Sequence, residues 1–413
     1  MRLTRRTFMR RMGAASILSL GASPPRFLTQ AARAAEADGR ATDGRILVVI
    51  QLAGGNDGLN TVIPFGDPEY RRARPGIGIA KGSVLRIDDY LGLHPQMKGL
   101  KGLYDEGVLG IVQGVGYPNP NRSHFRSMDI WQTARPESER TETGWLGRCL
   151  DLNAERHAGT VPALALGTDQ VPLSLVSSKF NVPTLRRMSD YELQLGPGSQ
   201  ADRQARRALM SQLATGESVP GSDLDYLRRT TAGALAMSDR LKEVAATYQP
   251  TTSYPANGLG QRLKAVVQLI AAELGTRIFF LSLGGFDTHS QQVAAHRALL
   301  AEFSSAVAAF TRDLEGHGLQ DRVLLVSFSE FGRRVQENGS LGTDHGAASQ
   351  MFVVSPTGKG GLYGAHPSLT DLSQGDLKYH TDFRSVYATI LDNWLGVTSQ
   401  TVLGGKFPTI DFV

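Results

Sequence analysis

Five short, nearly uninterrupted apolar runs limit what this chain can fold into: Ile46–Ile50, Val108–Val112, Arg277–Leu281, Val323–Val326 and Met351–Val354. A strand with one wet face alternates polar and apolar side chains, whereas a continuous run fits a strand covered on both faces. Between the runs the period changes. Residues 94–105 read as a helix, and so do residues 291–315, where Ala295, Leu299, Phe303, Val307 and Phe310 recur at helical spacing. Strands alternating with helices predict an α/β fold with a mostly parallel central sheet flanked by helices. Residues 200–274 are mostly helical in period, with Leu263, Val266, Val267 and Ile270 on one face, and read as a helical insertion within a single domain spanning 35–413. Phe383–Leu395 reads as another helix, ended by Gly396. Cys149 is the only cysteine, so no intramolecular disulfide forms and stability has to come from a large core.

The first 34 residues follow other rules. Thr4-Arg5-Arg6-Thr7-Phe8 opens a charged segment, Met12 to Ser23 is weakly apolar, and Ala32-Arg33-Ala34 is a small-x-small exit. That order describes a removable export signal, and the paired arginines point to the twin-arginine translocation machinery as a partner. The apolar stretch is too short to span a bilayer, which takes roughly 20 residues. The expectation is a leader at 1–34 and a periplasmic or secreted mature protein without a stable membrane span. Removing the leader takes seven of the 44 basic residues and no acid, leaving 37 against 39 acidic, a net charge of −2. The +5 of the whole chain therefore belongs to the leader, and no basis for nucleic-acid binding survives it.

In open parallel sheets, ligands bind beyond the carboxyl ends of the strands. After the first run comes Gly54-Gly55-Asn56-Asp57-Gly58, where Asp57 is either a cation ligand or part of a plain turn. After the second, Asn121-Arg122-Ser123-His124 opens a helix; Ser123 is placed either to work at an anion site or simply to cap it. After the third, Asp287 and His289 pair a hard oxygen with a borderline nitrogen, as a divalent metal prefers, with a hydrogen-bonded surface loop as the alternative. Glu330 ends the fourth run, a costly place for a carboxylate without a compensating cation or donor such as Arg333 or Arg334. Asp344-His345, just before the fifth run, is a second carboxylate–imidazole pair. Of the remaining histidines, His157, His296 and His317 read as surface or helix-face residues, and His94, His366 and His380 as structural residues or groups that stand behind the ligands.

Taken in order, the leader, Gly54–Asn60, Ser123-His124-Phe125, Gly284–His289, Ser329–Arg333 and Thr343–Gly346 resemble the exported bacterial family called domain of unknown function 1501. That family is placed in the alkaline phosphatase and sulfatase superfamily. The resemblance implies an alkaline phosphatase-like sheet and one or two divalent ions, held by Asp57, Asp287, His289, Glu330, Asp344 and His345; mixed nitrogen and oxygen ligands favour zinc or manganese. It further implies Ser123 as nucleophile towards a phosphate or sulfate ester, His124 in proton transfer, and Asn121, Arg122 or Arg333 on the ester oxygens. The substrate would be an anionic small molecule or a glycan ester. One departure stands out: Phe331 occupies a place where the superfamily has a histidine ligand. It leaves open a second expectation, a non-catalytic binding or assembly protein with a degenerate metal site.

Overall fold

The computed structural model describes residues 44–413 except residues 137, 158–160, 186–197, 274, 356 and most positions within 216–245. The expected leader at 1–34 lies outside the described residues.

The strands of the main sheet, in chain order, are β1 (Ile46–Leu52), β2 (Leu109–Gly116), β3 (Ala163–Leu166), β4 (Thr184–Leu185), β5 (Ile278–Leu283), β6 (Val323–Phe328), β7 (Ser349–Val354), β8 (Gly361–Tyr363) and β9 (Thr381–Asp382). Across the sheet they lie in the order β8-β2-β7-β6-β1-β5-β3-β4, with β9 also paired to β2. The five apolar runs are the five adjacent central strands β2, β7, β6, β1 and β5, where both faces are covered. The strands without such a run are short and sit towards the edges. All pairings are parallel except those of β7, which runs against both β6 and β2. That reversal matters for the site. β1, β2, β5 and β6 end at one rim, and β7 begins there, with Ser349 opposite Val115 at the end of β2.

The helices that cover the sheet or shape this rim are α1 (Gly58–Thr61), α2 (Pro68–Ala73), α3 (Lys98–Asp105), α4 (His124–Thr133), α5 (Trp145–Leu152), α6 (Gln200–Thr215), α7 (Gly258–Ala271), α8 (Gln292–Gly316) and α9 (Phe383–Thr389). Alternate side chains of each strand point to opposite faces. In β1, Val48, Ile50 and Leu52 pack with Leu100 of α3, Leu263 and Val267 of α7 and Phe303 and Phe310 of α8. Leu47 and Val49 face the other way, towards Trp131 of α4, Trp145 of α5 and Tyr387 of α9. The stretch read as an insertion, 200–274, holds α6 and α7; α7 is part of the layer on the first face, packed on α8 and β5. Helix α9 changes at Thr389 to a wider π-type turn, Ile390–Leu395, before Gly396 ends it at φ +65°; a further short helix, Ser399–Leu403, follows.

Candidate metal centre

The turn after β1 has to squeeze between two other loops. Gly54 and Gly55 have φ of +117° and +73°. A Cβ on Gly54 would lie 2.4 Å from the Asp287 nitrogen, and one on Gly55 2.2 Å from the Phe331 ring. Only glycine tolerates that conformation and that approach together. The tight turn lets the loops after β5 and β6 close around Arg333, which is buried. Its Nε donates to the Gly55 carbonyl at 2.6 Å and its Nη1 to the Thr343 carbonyl at 2.8 Å. Its Nη2 donates to the carbonyls of Gly54 and Phe286 and, at 2.7 Å, to Asp287 Oδ1.

Three histidines gather around Asp287. His124 opens α4, and its Nδ1 lies 2.9 Å from Oε1 of the buried Glu330, which also accepts from Gly54 N at 2.8 Å. His345 turns its Nδ1 to the Arg122 carbonyl at 2.7 Å, and His289 turns its Nδ1 to Asp344 Oδ1 at 3.4 Å. Carbonyls and carboxylates only accept, so each Nδ1 carries the hydrogen and each neutral ring keeps its lone pair on Nε2. Those Nε2 atoms face one another and Asp287. His289 and His345 are 2.9 Å apart, and they lie 3.0 and 3.2 Å from Asp287 Oδ1. His124 Nε2 lies 3.5 Å from Asp287 Oδ2 and has no hydrogen-bond partner among the described residues. Ligand atoms of His124, Asp287 and His345 all fall within 4.8 Å of one another. Phe331 packs its ring against both His124 and His345, with centroids 4.9 and 4.6 Å away.

Partial burial raises the Asp287 carboxyl, but the hydrogen bond and the charge of the Arg333 guanidinium outweigh it and hold it at about 2. The hydrogen bond to Glu330 raises His124 against the opposing effect of burial. Burial lowers His345, although the Arg122 carbonyl and Asp287 pull the other way.

The structure redistributes the expected roles. Asp287, His289 and His345 point ligand atoms at one place, and His124, expected in proton transfer, points its Nε2 there too. Glu330 and Asp344, expected as ligands, stand behind the rings of His124 and His289 and orient them. Arg333, expected on substrate oxygens, has all its nitrogens engaged with protein acceptors, and Glu330 is compensated by Gly54 N and His124 instead. Asp57 belongs to no group of three metal-competent side chains among the described residues. It is fully buried, paired with the equally buried Arg74 at 2.6 Å. Ser123 occupies the N-cap of α4, yet its side chain makes no capping bond and the residue is exposed. Residues the sequence did not assign to the site surround Asp57: Arg74, Gln292, and His296, which lies on a helix face that is buried against Asn56. Gln292 and His296 are one helical turn apart, in line with Leu299 and Phe303, so two polar residues continuing an apolar face were the available signal.

Beside the centre, Arg122 continues into an open cleft of about 710 Å³, lined also by Asn119, Asn121, Asp376, Lys378 and Tyr379. Arg122 donates twice to Asp376 Oδ2, at 2.6 and 2.9 Å. The cleft is predominantly polar, with cations and hydrogen-bonding groups interleaved.

Residues 111–405 match the family model described as Protein of unknown function (DUF1501). No curated protein matches the chain. Among solved structures, it is similar to the lipoteichoic acid synthase LtaP from Listeria monocytogenes, at 10% identity over 97% of this chain and 80% of that one, TM-score 0.35. It is similar to a protein in the alkaline phosphatase superfamily from Vibrio parahaemolyticus, at 11% identity over 92% and 77%, TM-score 0.37. The PsFucS1 sulfatase from Pseudoalteromonas sp. aligns at 12% identity over 93% and 74%, TM-score 0.38. Nothing about chemistry follows from likenesses this distant.

Proposed function

The chain belongs to the DUF1501 family, and from that premise we propose that it is an exported hydrolase of phosphate or sulfate esters with a divalent metal centre. His124, Asp287 and His345 would hold the ion, with His289 beside them. One observation carries this reading. Three imidazoles have their Nδ1 hydrogens tied to acceptors, so their Nε2 lone pairs and the Asp287 carboxylate are turned on one another at 2.9–3.5 Å. Within this group of side chains Arg333 donates to Asp287 alone, and its other bonds go to backbone carbonyls. Electron-rich atoms held that close repel unless a cation lies among them, and backing each ring from its far nitrogen is how proteins orient metal-binding histidines. The unpartnered His124 Nε2 supports the same fit. Mixed imidazole and carboxylate donors suit zinc or manganese.

When bound, such an ion lowers the pKa of a coordinated hydroxyl and offsets charge on ester oxygens. Ser123 precedes His124, and its hydroxyl is free of capping duty. In this reading its Oγ loses its proton to solvent and bonds to the phosphorus or sulfur, while the bond to the leaving-group oxygen breaks and that oxygen takes up a proton. Water then cleaves the serine ester and restores the hydroxyl. The body of the substrate, an anionic small molecule or glycan ester, would lie in the cleft beside Arg122 and Lys378.

The test is metal analysis of natively exported protein together with turnover of aryl phosphate and aryl sulfate. Bound metal with turnover is the expected result; metal-free protein that hydrolyses neither ester would sink the proposal. A non-catalytic binding role is favoured by Phe331, which packs an apolar ring against both His124 and His345 where it supplies no ligand. Bound metal without turnover of either ester would point there. No helix among the described residues is long and apolar enough to cross a membrane, and export through the twin-arginine machinery to the periplasm or beyond is part of the proposal.

A further inference from the structure

We propose that Gln292 is the positioning residue of this centre and that Asp57 acts through it, one step removed from the metal; the inference rests on the metal reading above. The loop carrying Asp287 and His289 and the loop carrying Asp344 and His345 come from distant parts of the chain. Each places a threonine hydroxyl on the same atom. Thr288 Oγ1, between Asp287 and His289, donates to Gln292 Oε1 at 3.1 Å. Thr343 Oγ1, next to Asp344, donates to it at 2.7 Å. Gln292 Nε2 donates to Asp57 Oδ2 at 2.5 Å, and that carboxylate is in turn held by Arg74. The Gln292 backbone nitrogen donates to the Leu341 carbonyl at 2.9 Å, and Thr343 N donates to the Thr288 carbonyl at 3.2 Å.

The amide has one workable orientation. The Asp57 carboxylate only accepts, so the NH₂ faces it and Oε1 is left for the two hydroxyls. Asp57, Arg74, Gln292, Thr288 and Thr343 are all buried, so water does not readily replace a missing partner, and removing one leaves the others unsatisfied. Nε2 of His289 and Nε2 of His345 are 2.9 Å apart, one on each loop. Their spacing therefore depends on the contact that joins the loops behind them. Asp57 anchors the amide against the β1 turn and contributes no ligand atom.

Groups behind the ligands typically contribute 10–100-fold to metal affinity. The experiment measures zinc affinity of the full exported protein by competition with a chromophoric chelator, and the visible spectrum of the cobalt-substituted form. Gln292→Leu should weaken zinc binding about 10–100-fold and change the cobalt spectrum. Thr343→Val keeps the shape and loses one donor; it should weaken binding on the order of 10-fold, and the double variant should be no worse than Gln292→Leu alone. Thr389→Val is the control. It removes a buried hydroxyl from α9, bonded to Ser385 and Ile410, and should lower stability without touching affinity or spectrum. If wild-type protein binds zinc and Gln292→Leu and Thr343→Val bind it within twofold of wild type, the positioning role is wrong and the metal centre stands. If Gln292→Leu does not fold, Thr343→Val alone decides. If wild type binds no metal, both readings fall.

Discussion

Asp57→Asn separates two roles that one carboxylate can have at this rim. As a metal ligand, it would repel other ligands in the metal-free protein, and neutralising it would leave metal-free stability unchanged or raised. As the partner of Arg74, its loss leaves a guanidinium at 0% exposure with no counter-charge. Arg74 would keep its bonds to Asn60 Oδ1 and to the Val335 and Arg334 carbonyls, but none of these is anionic. Removing one member of a buried ion pair costs about 3–5 kcal/mol. At roughly 2.1 cal/mol/K per residue, about 370 folded residues unfold with an entropy near 0.8 kcal/mol/K, so that loss should lower Tm by about 4–6 °C. The assay is calorimetry of both proteins after exhaustive chelation, at pH 7. The deficit should also depend on pH. Burial works against the Asp57 charge, but Arg74, His296 and Gln292 outweigh it and hold the carboxyl below its ordinary value. A depressed carboxyl contributes stability above the unfolded pKa of about 3.9 and loses it as pH falls through the folded value. The gap between wild type and variant should therefore narrow below about pH 4. A chelated Asp57→Asn protein that melts with wild type, or above it, would refute the ion-pair role.

Three further outcomes are expected. Ser123→Ala should retain bound metal and lose ester turnover by several orders of magnitude; unchanged turnover would remove the serine from the mechanism. Burial lowers His94 and His296 to about 4 each, so both are neutral in the fold and their contribution to stability should fade as pH drops from about 6.5 towards 4; urea midpoints that stay flat across that window would contradict it. Replacing Arg5 and Arg6 with lysine should leave uncleaved precursor in the cytosol, and undiminished export in a cell fractionation would exclude the twin-arginine route.

Much of the architecture was legible because strands covered on both faces carry an uncommon signal: apolar side chains at every position, read without knowing the neighbours. β1, β2, β5, β6 and β7 all carry it, and they are the adjacent centre of the sheet. The two-residue strands β4 and β9 carry none, since their pairing depends on what lies alongside. The reversal of β7 was equally silent, because an apolar run has no direction.

At the rim, the sequence by itself marked the strand ends that carry carboxylates and imidazoles, because those groups stand just past buried apolar runs. Only tertiary structure decided what each of them does there. Asp57 and Asp287 are the same chemical group in similar glycine-rich turns, yet one faces Arg74 in the interior and the other faces three imidazoles. Glu330 and Asp344 meet the Nδ1 atoms of His124 and His289, which turn that side of each ring towards them. The reason is physical. Which strand a residue follows is a local property of the chain, whereas the direction of its side chain and the charge it meets are set by partners from 17 to 206 residues away along the chain, over distances of about 3 Å.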